Sequence, residues 1–216
     1  TIIIIIMTVQ EVVALIDRSG SMYGKEKDTV GGINAAFSEI RKNAGMNDDI
    51  RVSLKLFDHE QTLFWKSKDI NKIDDFPIEN FVPRGQTALL DTLGTTLTYF
   101  MEKKLKDPST YDNCLIYVAT DGIENASKEF NINKIKDLII NAEKTYNITV
   151  IYLGANQDAI LSATNMGISI DHAINYNENE NSTQAVYRSV GRVASDSRTN
   201  RNVGFLDVER NASQRS

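Results

Sequence analysis

Residues 14–22 read Ala-Leu-Ile-Asp-Arg-Ser-Gly-Ser-Met, and this short stretch decides the reading of the chain. An apolar run ends abruptly in three oxygen-bearing side chains, Asp17, Ser19 and Ser21, spaced every second residue around Gly20. A strand of this kind usually ends in a Gly, Asn or Pro turn. An acid followed by two hydroxyls looks instead like one half of a metal site.

The strand itself has counterparts. Val12–Ile16, Leu115–Ala119 and Ile148–Leu153 are short, apolar and rich in β-branched residues, as expected of strands covered on both faces of a parallel sheet. Helical periodicity fills the gaps, in Val30, Ile33, Phe37 and Ile40, then Leu89, Leu90, Leu93 and Leu97, then Ile132, Ile135, Leu138 and Ile139. Ala159, Ile160, Ala163 and Met166 continue it, with Gly167 placed as a C-terminal stop. Residues 52–57 alternate in polarity, and a turn-rich Asp58-His59-Glu60-Gln61 leads to a second run, 62–66; the two predict a hairpin with one antiparallel edge strand. The alternation of strands and helices predicts an α/β doubly wound, mostly parallel sheet with helices on both faces. Residues 175–181 read as loop, and Val186, Val190 and Val193 mark a last helix.

The 216 residues suffice for one domain with extensions: an N-terminal extension over 1–8, the domain over 9–196, and a tail over 197–216 that is expected to be extended or disordered. Met7-Thr8-Val9-Gln10 reads as a natural start. Residues 1–6, dominated by isoleucine, are then either an addition or an extra β-strand able to pair with a neighbour. Five isoleucines fall far short of the ~20 apolar residues that span a bilayer, and no basic leader or cleavage site precedes the domain. A cytoplasmic or virion-associated protein without a membrane segment is expected.

Twenty-four basic against 29 acidic side chains leave a formal charge of −5, which argues against a generic nucleic-acid binder. Lys66, Lys68 and Lys72 are diluted by Asp69, Asp74 and Asp75. The lone Cys114 excludes an intrachain disulfide and a thiolate cage, and its apolar context suits a small hydrophobe.

Ligands of open α/β sheets bind at the carboxyl ends of the strands. There the first strand delivers Asp17, Ser19 and Ser21, a later one delivers Thr120-Asp121-Gly122, and Thr87 enters the helix starting near Ala88. Two acids and three hydroxyls, with no imidazole or thiolate, form a hard oxygen donor set suited to Mg²⁺ or Mn²⁺. Glu124 reads as a solvated acid at the same rim.

Asp-x-Ser-x-Ser after the first strand, the threonine of "GQTALLD" and the aspartate of "ATDG" together resemble the von Willebrand factor A domain and its metal-ion-dependent adhesion site (MIDAS). The resemblance spans roughly residues 9–195. It implies that Asp17, Ser19, Ser21, Thr87 and Asp121 are the metal residues, and that the Rossmann-like sheet has six strands in order 3-2-1-4-5-6 with strand 3 antiparallel. "DRSGSM", "TDGIEN" and "LGANQDA" look most like stand-alone A domains of bacteria and their phages.

The expected function is metal-dependent protein–protein interaction, with a partner presenting Asp or Glu to the ion. A structural subunit of a larger assembly such as a phage particle, self-assembling through its terminal arms, is the alternative. A metal-dependent hydrolase fits less well. Gly20-Ser21-Met22 is not a nucleophile elbow, neither His59 nor His172 lies in a motif with a serine, no P-loop is present, and position 19 is Ser where phosphoryl transfer would need a second acid.

Overall fold

The computed structural model describes residues 8–155, 159–199 and 203–215. Residues 1–7, and with them the isoleucine-rich start, lie outside that range, as do residues 156–158 of the "LGANQDA" motif. In chain order the elements are β1 (Val9–Asp17), α1 (Glu26–Lys42), β2 (Asp49–Phe57), β3 (Gln61–Asp69), α2 (Leu89–Lys106), β4 (Asn113–Thr120), α3 (Ile132–Tyr146), β5 (Ile148–Ala155), α4 (Ala159–Asn165), β6 (Ala173–Tyr176), α5 (Glu180–Arg198) and α6 (Asp207–Ala212).

The six strands form one sheet in the order β3-β2-β1-β4-β5-β6. Only the β2–β3 hairpin is antiparallel; the remaining pairs are parallel. Because strand side chains alternate between faces, β1 feeds two cores. Val12, Ala14 and Ile16 pack with α1 and α5, whereas Val13 and Leu15 pack with α2 and α3. β4 does the same, with Leu115 and Tyr117 on one face and Ile116 and Val118 on the other.

β1 runs three residues further toward the N-terminus than its apolar stretch. The added polar residues are satisfied by distant partners. The buried Gln10 amide donates to Asn113 Oδ1 at 2.8 Å, the Ala194 carbonyl at 2.9 Å and Ser197 Oγ at 2.8 Å. Glu11 accepts from Lys103 Nζ at 2.6 Å and from Ser67 Oγ at 3.0 Å. β6 likewise takes in Asn175 and Tyr176, which the sequence placed in a loop, and α5 follows from an Asn179 cap whose side chain accepts from the Ser182 N–H. Gly167 ends α4 at φ +86°, in the left-handed conformation expected of it.

The tail expected over 197–216 is not extended where it is described. α5 continues to Arg198, Phe205 is buried, and α6 docks on its own domain. Arg192 grips Glu209 with two bonds of 2.6 and 2.7 Å, Arg210 donates to the Ala173 carbonyl at 2.6 Å, and Ser213 Oγ donates to the Asn175 carbonyl at 2.7 Å. Glu209, Arg210 and Ser213, polar residues of the segment expected to be disordered, supply these anchors.

α1 and α5 approach closely because each puts a glycine at the contact. A Cβ at Gly32 would lie 2.7 Å from the buried Tyr187 ring, and one at Gly191 would lie 2.6 Å from Glu39. The adjacent Gly31 faces open space, with nothing within 4 Å. The two neighbours are therefore expected to respond oppositely to alanine. Gly31→Ala should stabilise the protein by roughly 0.5–1 kcal/mol through helix propensity, and Gly32→Ala should destabilise it by roughly 1–3 kcal/mol through overpacking. Urea unfolding of the two variants measures both signs.

Candidate metal centre

Parallel register brings the site together. Ile16 pairs with Ala119, so Asp17 and Thr120 leave the sheet side by side at the ends of β1 and β4. Asp17 is fully buried. Its Oδ1 accepts the Ser19 N–H at 2.7 Å and its Oδ2 accepts Thr120 Oγ1 at 2.5 Å. Burial pushes this carboxyl above the ordinary carboxylate range; the bonds from Thr120 and Ser19 pull it back, and the nearby Asp121 charge adds to the rise. Ser19 and Ser21 face each other with their hydroxyl oxygens 3.1 Å apart, and Ser21 Oγ donates to Asp121 Oδ1 at 2.6 Å.

Thr87 completes the set from the loop before α2. A Cβ built on Gly122 would lie 3.1 Å from Thr87 Oγ1, 3.3 Å from Ser21 Oγ and 3.5 Å from Asp17 Oδ2. The three oxygens thus converge on one spot, where a Cβ would be tight against Thr87 and Ser21. Thr87 is not the helix cap, since Ala88 occupies that position. All five residues singled out in the sequence are brought to one rim.

Three loops are stitched around that rim. Gly20 N–H donates to the Gly85 carbonyl at 3.1 Å, Arg84 N–H to the Arg18 carbonyl at 2.8 Å, and Asn125 N–H to the Thr87 carbonyl at 3.0 Å. The Asn125 side chain returns the favour, accepting the Thr87 N–H at 2.8 Å. Asp58, His59 and Glu60 place three potential ligand atoms within 4.8 Å of one another. Two of them are already claimed by guanidinium groups. Asp58 accepts from Arg18 Nε at 2.8 Å and Arg84 Nε at 2.9 Å, and Glu60 accepts from Arg84 Nη2 at 2.5 Å. This cluster is an ion-pair network that fixes the loop carrying Thr87.

Glu124 is not the solvated acid expected from its position. Its carboxylate accepts the Ala126 and Ser127 N–H groups, at 2.9 and 2.7 Å, and the Leu90 N–H at 2.9 Å. Asp91 does similar work, accepting the N–H groups of Lys128, Glu129 and Phe130 at 2.7–2.9 Å. The two acids strap the loop after β4 to the start of α2.

Sequence reasoning also missed a cation. Lys25, just before α1, places its ammonium against both Asp121 and Glu178. Burial works against the Lys25 charge, but the two carboxylates outweigh it and hold the ammonium above its ordinary value. Glu178 lies between β6 and α5, so the pairing could not be read from sequence spacing. Around the rim, Tyr23 and Ile123 are 81% and 79% exposed, leaving apolar surface on two of the loops that carry the site. A cleft of about 680 Å³ runs alongside, lined by Gln86, Asn125, Asp91 and Ser127. Cys114 is buried in the core, and burial raises its thiol well above the ordinary value, as suits a residue that packs and does not react.

A doubly wound α/β domain with acids and hydroxyls converging at its strand ends belongs to the class of open-sheet α/β domains. More narrowly, the chain belongs to the von Willebrand factor type A domain family, whose pattern matches residues 11–189. Its structure is similar to that of proximal thread matrix protein 1 from the mussel byssus, solved with a zinc-occupied MIDAS motif (TM-score 0.64, 16% identity, covering 88% of this chain and 48% of that chain). It is also similar to the vWF domain of the type V pili tip protein Mfa5 from Porphyromonas gingivalis (TM-score 0.61, 12% identity, covering 94% and 100%). Manganese-loaded TRAP protein from Plasmodium vivax is a third such structure (TM-score 0.57, 16% identity, covering 81% and 70%). At these identities the likeness is one of fold. The chain spans about half the length of the mussel protein. No curated protein matches the sequence.

The loop strap has a measurable consequence. Asp91→Ala leaves three backbone donors without their acceptor, at a cost of roughly 1–3 kcal/mol. Amide hydrogen exchange is expected to accelerate at Lys128, Glu129 and Phe130 while the β1 amides keep their protection.

Proposed function

We propose that Asp17, Ser19, Ser21, Thr87 and Asp121 hold a divalent cation, Mg²⁺ or Mn²⁺, and that the domain uses it to bind a partner protein through an Asp or Glu side chain. The observation that carries this reading is the convergence of Thr87, Ser21 and Asp17 oxygens around the Cβ-free position at Gly122. The donors fit such an ion: all are hard oxygens, with two acids balancing the divalent charge and three neutral hydroxyls. Bound there, the ion supplies an electrophilic centre with room for a further carboxylate. The zinc-occupied and manganese-loaded neighbours support the choice of a metal at this rim.

The chain's own residues prepare that encounter. Thr120 and the Ser19 N–H orient Asp17, Ser21 orients Asp121, and the Asn125 strap holds Thr87 at the rim. Exposed Tyr23 and Ile123 offer apolar surface to the partner beside the acid. A binding module is favoured over an enzyme because, among the described residues, neither histidine hydrogen-bonds a site serine: His59 Nδ1 lies 3.2 Å from Asp58, and His172 Nδ1 lies 3.9 Å from Glu143. The reading extends to a stand-alone domain of bacterial or phage type, cytoplasmic or virion-associated. Among the described residues no helix is long and apolar enough to cross a membrane.

Calorimetry with Mn²⁺ tests the metal. Asp17→Asn should weaken affinity by roughly 2 kcal/mol or more, and unchanged affinity would overturn the assignment. Thr87→Ala removes a neutral donor without changing charge. It should retain part of the metal affinity yet lose the partner in a pull-down from the native source that compares Mg²⁺ with EDTA.

Lys25 supplies a test of opposite sign. Its ammonium competes for Asp121, and a partly exposed pair of this kind is worth up to ~1 kcal/mol. Lys25→Met should therefore tighten Mn²⁺ binding about fivefold, as read by the same titration.

A further inference from the structure

On the far side of the sheet edge from Lys25 lies a second cavity, of about 270 Å³, between α2 and the β2–β3 hairpin. Lys55 and Lys66 both line it, and its walls carry no Asp or Glu. Val13, Leu63, Tyr99 and Phe100 make much of the remainder apolar.

Lys55 projects from β2 toward α2 and is half-buried. An ammonium has three donors. The Lys55 donors meet two neutral acceptors among the described residues, Gln61 Oε1 at 3.0 Å and Thr96 Oγ1 at 2.9 Å. Burial without a compensating charge pulls its ammonium down to about 8. The contrast with Lys103 on the same side of the sheet is direct. That lysine reaches into the same layer and meets the buried Glu11 carboxylate at 2.6 Å. Glu11 is thereby committed to Lys103 and Ser67, and among the described residues Lys55 has no acid of its own. Lys66 sits with its ammonium 5.1 Å from the Tyr99 ring centroid, at the cavity mouth.

We propose that this cavity binds a small organic carboxylate with an apolar body, its anionic head set between Lys55 and Lys66 and its hydrocarbon part against Leu63, Tyr99 and Phe100. A cation lacking a counter-charge in an apolar recess is the complement of such a ligand. The volume lies near the lower end of the range for small-molecule sites, ~300 Å³, which limits the ligand to a short chain or single ring. The apolar walls distinguish it from inorganic anions, and the absence of acids in the walls distinguishes it from amines.

This site is independent of the metal, so the two readings fail separately. Hexanoate is titrated into the full chain in EDTA, with amide and methyl NMR shifts followed at Leu63, Thr96 and Tyr99. Saturable shifts are expected at these residues with hexanoate. Hexanol, which lacks the charge, and acetate, which lacks the body, should bind at least tenfold more weakly. Lys55→Met should reduce hexanoate affinity at least tenfold. Leu63→Trp, at an exposed edge position, fills the cavity while retaining both amines and should abolish binding even if Lys55→Met fails to fold. Equal affinity for hexanol or acetate, undiminished binding in a folded Lys55→Met or Leu63→Trp variant, or no saturable shift with hexanoate would each overturn the proposal.

Discussion

Asp17 is a carboxylate with no exposed surface at the end of the central strand, and a buried acid of this kind must be hydrogen-bonded or neutralised before the strands around it can pack. Its partners come from two directions. The Ser19 N–H is local, two residues along the same chain. The Thr120 hydroxyl comes from the next strand, 103 residues away, and arrives only because β4 lies parallel to β1 in a register that sets Ala119 beside Ile16. Parallel neighbours require a crossover through a helix, so the satisfaction of one carboxyl rests on the winding of the whole sheet. Burial and the Asp121 charge still keep the Asp17 carboxyl above its ordinary value, against the pull of the Thr120 and Ser19 hydrogen bonds. On the reading proposed above, a cation at this rim would offset that cost of burial.

The sequence carried the signals whose causes are local. Five β-branched or aliphatic residues before Asp17 are buried on both faces because the sheet has helices on both sides, and that pattern is visible without coordinates. The candidate site residues stood out for a related reason: Asp17 and Asp121 lie at or beside strand ends, the two serines follow β1 at fixed offsets, and Thr87 precedes α2. What escaped was everything decided by a distant partner. Gln10 and Glu11 look like a strand's polar prelude, yet they pair with both neighbouring strands, and Ser197 and Lys103 satisfy their buried side chains. Glu124 looks like a surface acid, yet it ties down backbone N–H groups at Leu90, Ala126 and Ser127. The C-terminal segment looks like a solvated tail, yet Glu209 and Ser213 fasten it to α5 and β6. In each case a polar residue is conspicuous in sequence, and only long-range pairing decides whether it is solvated or structural.

Three lysines show how the fold sets the chemistry of one functional group. Among the described residues Lys25 faces two carboxylates, Lys103 faces one, and Lys55 faces none. In a chain with 29 acids against 24 bases, acids are not scarce; their placement makes the difference. At Lys25 the two carboxylates outweigh the cost of burial and hold the ammonium above its ordinary value. At Lys103 the charge is cancelled within the layer, a buried pair that anchors α2 to β1. At Lys55 the desolvation cost is met only by two neutral acceptors, and the ammonium falls toward neutrality near pH 8. An anion bound beside it would restore the missing counter-charge and raise that value again, by the same electrostatics that lift Lys25. On the two proposals above, the ends of this series suit opposite ligands. The acid-rich rim is complementary to a cation, and the acid-free recess is complementary to an anion, although each is built around the same amine.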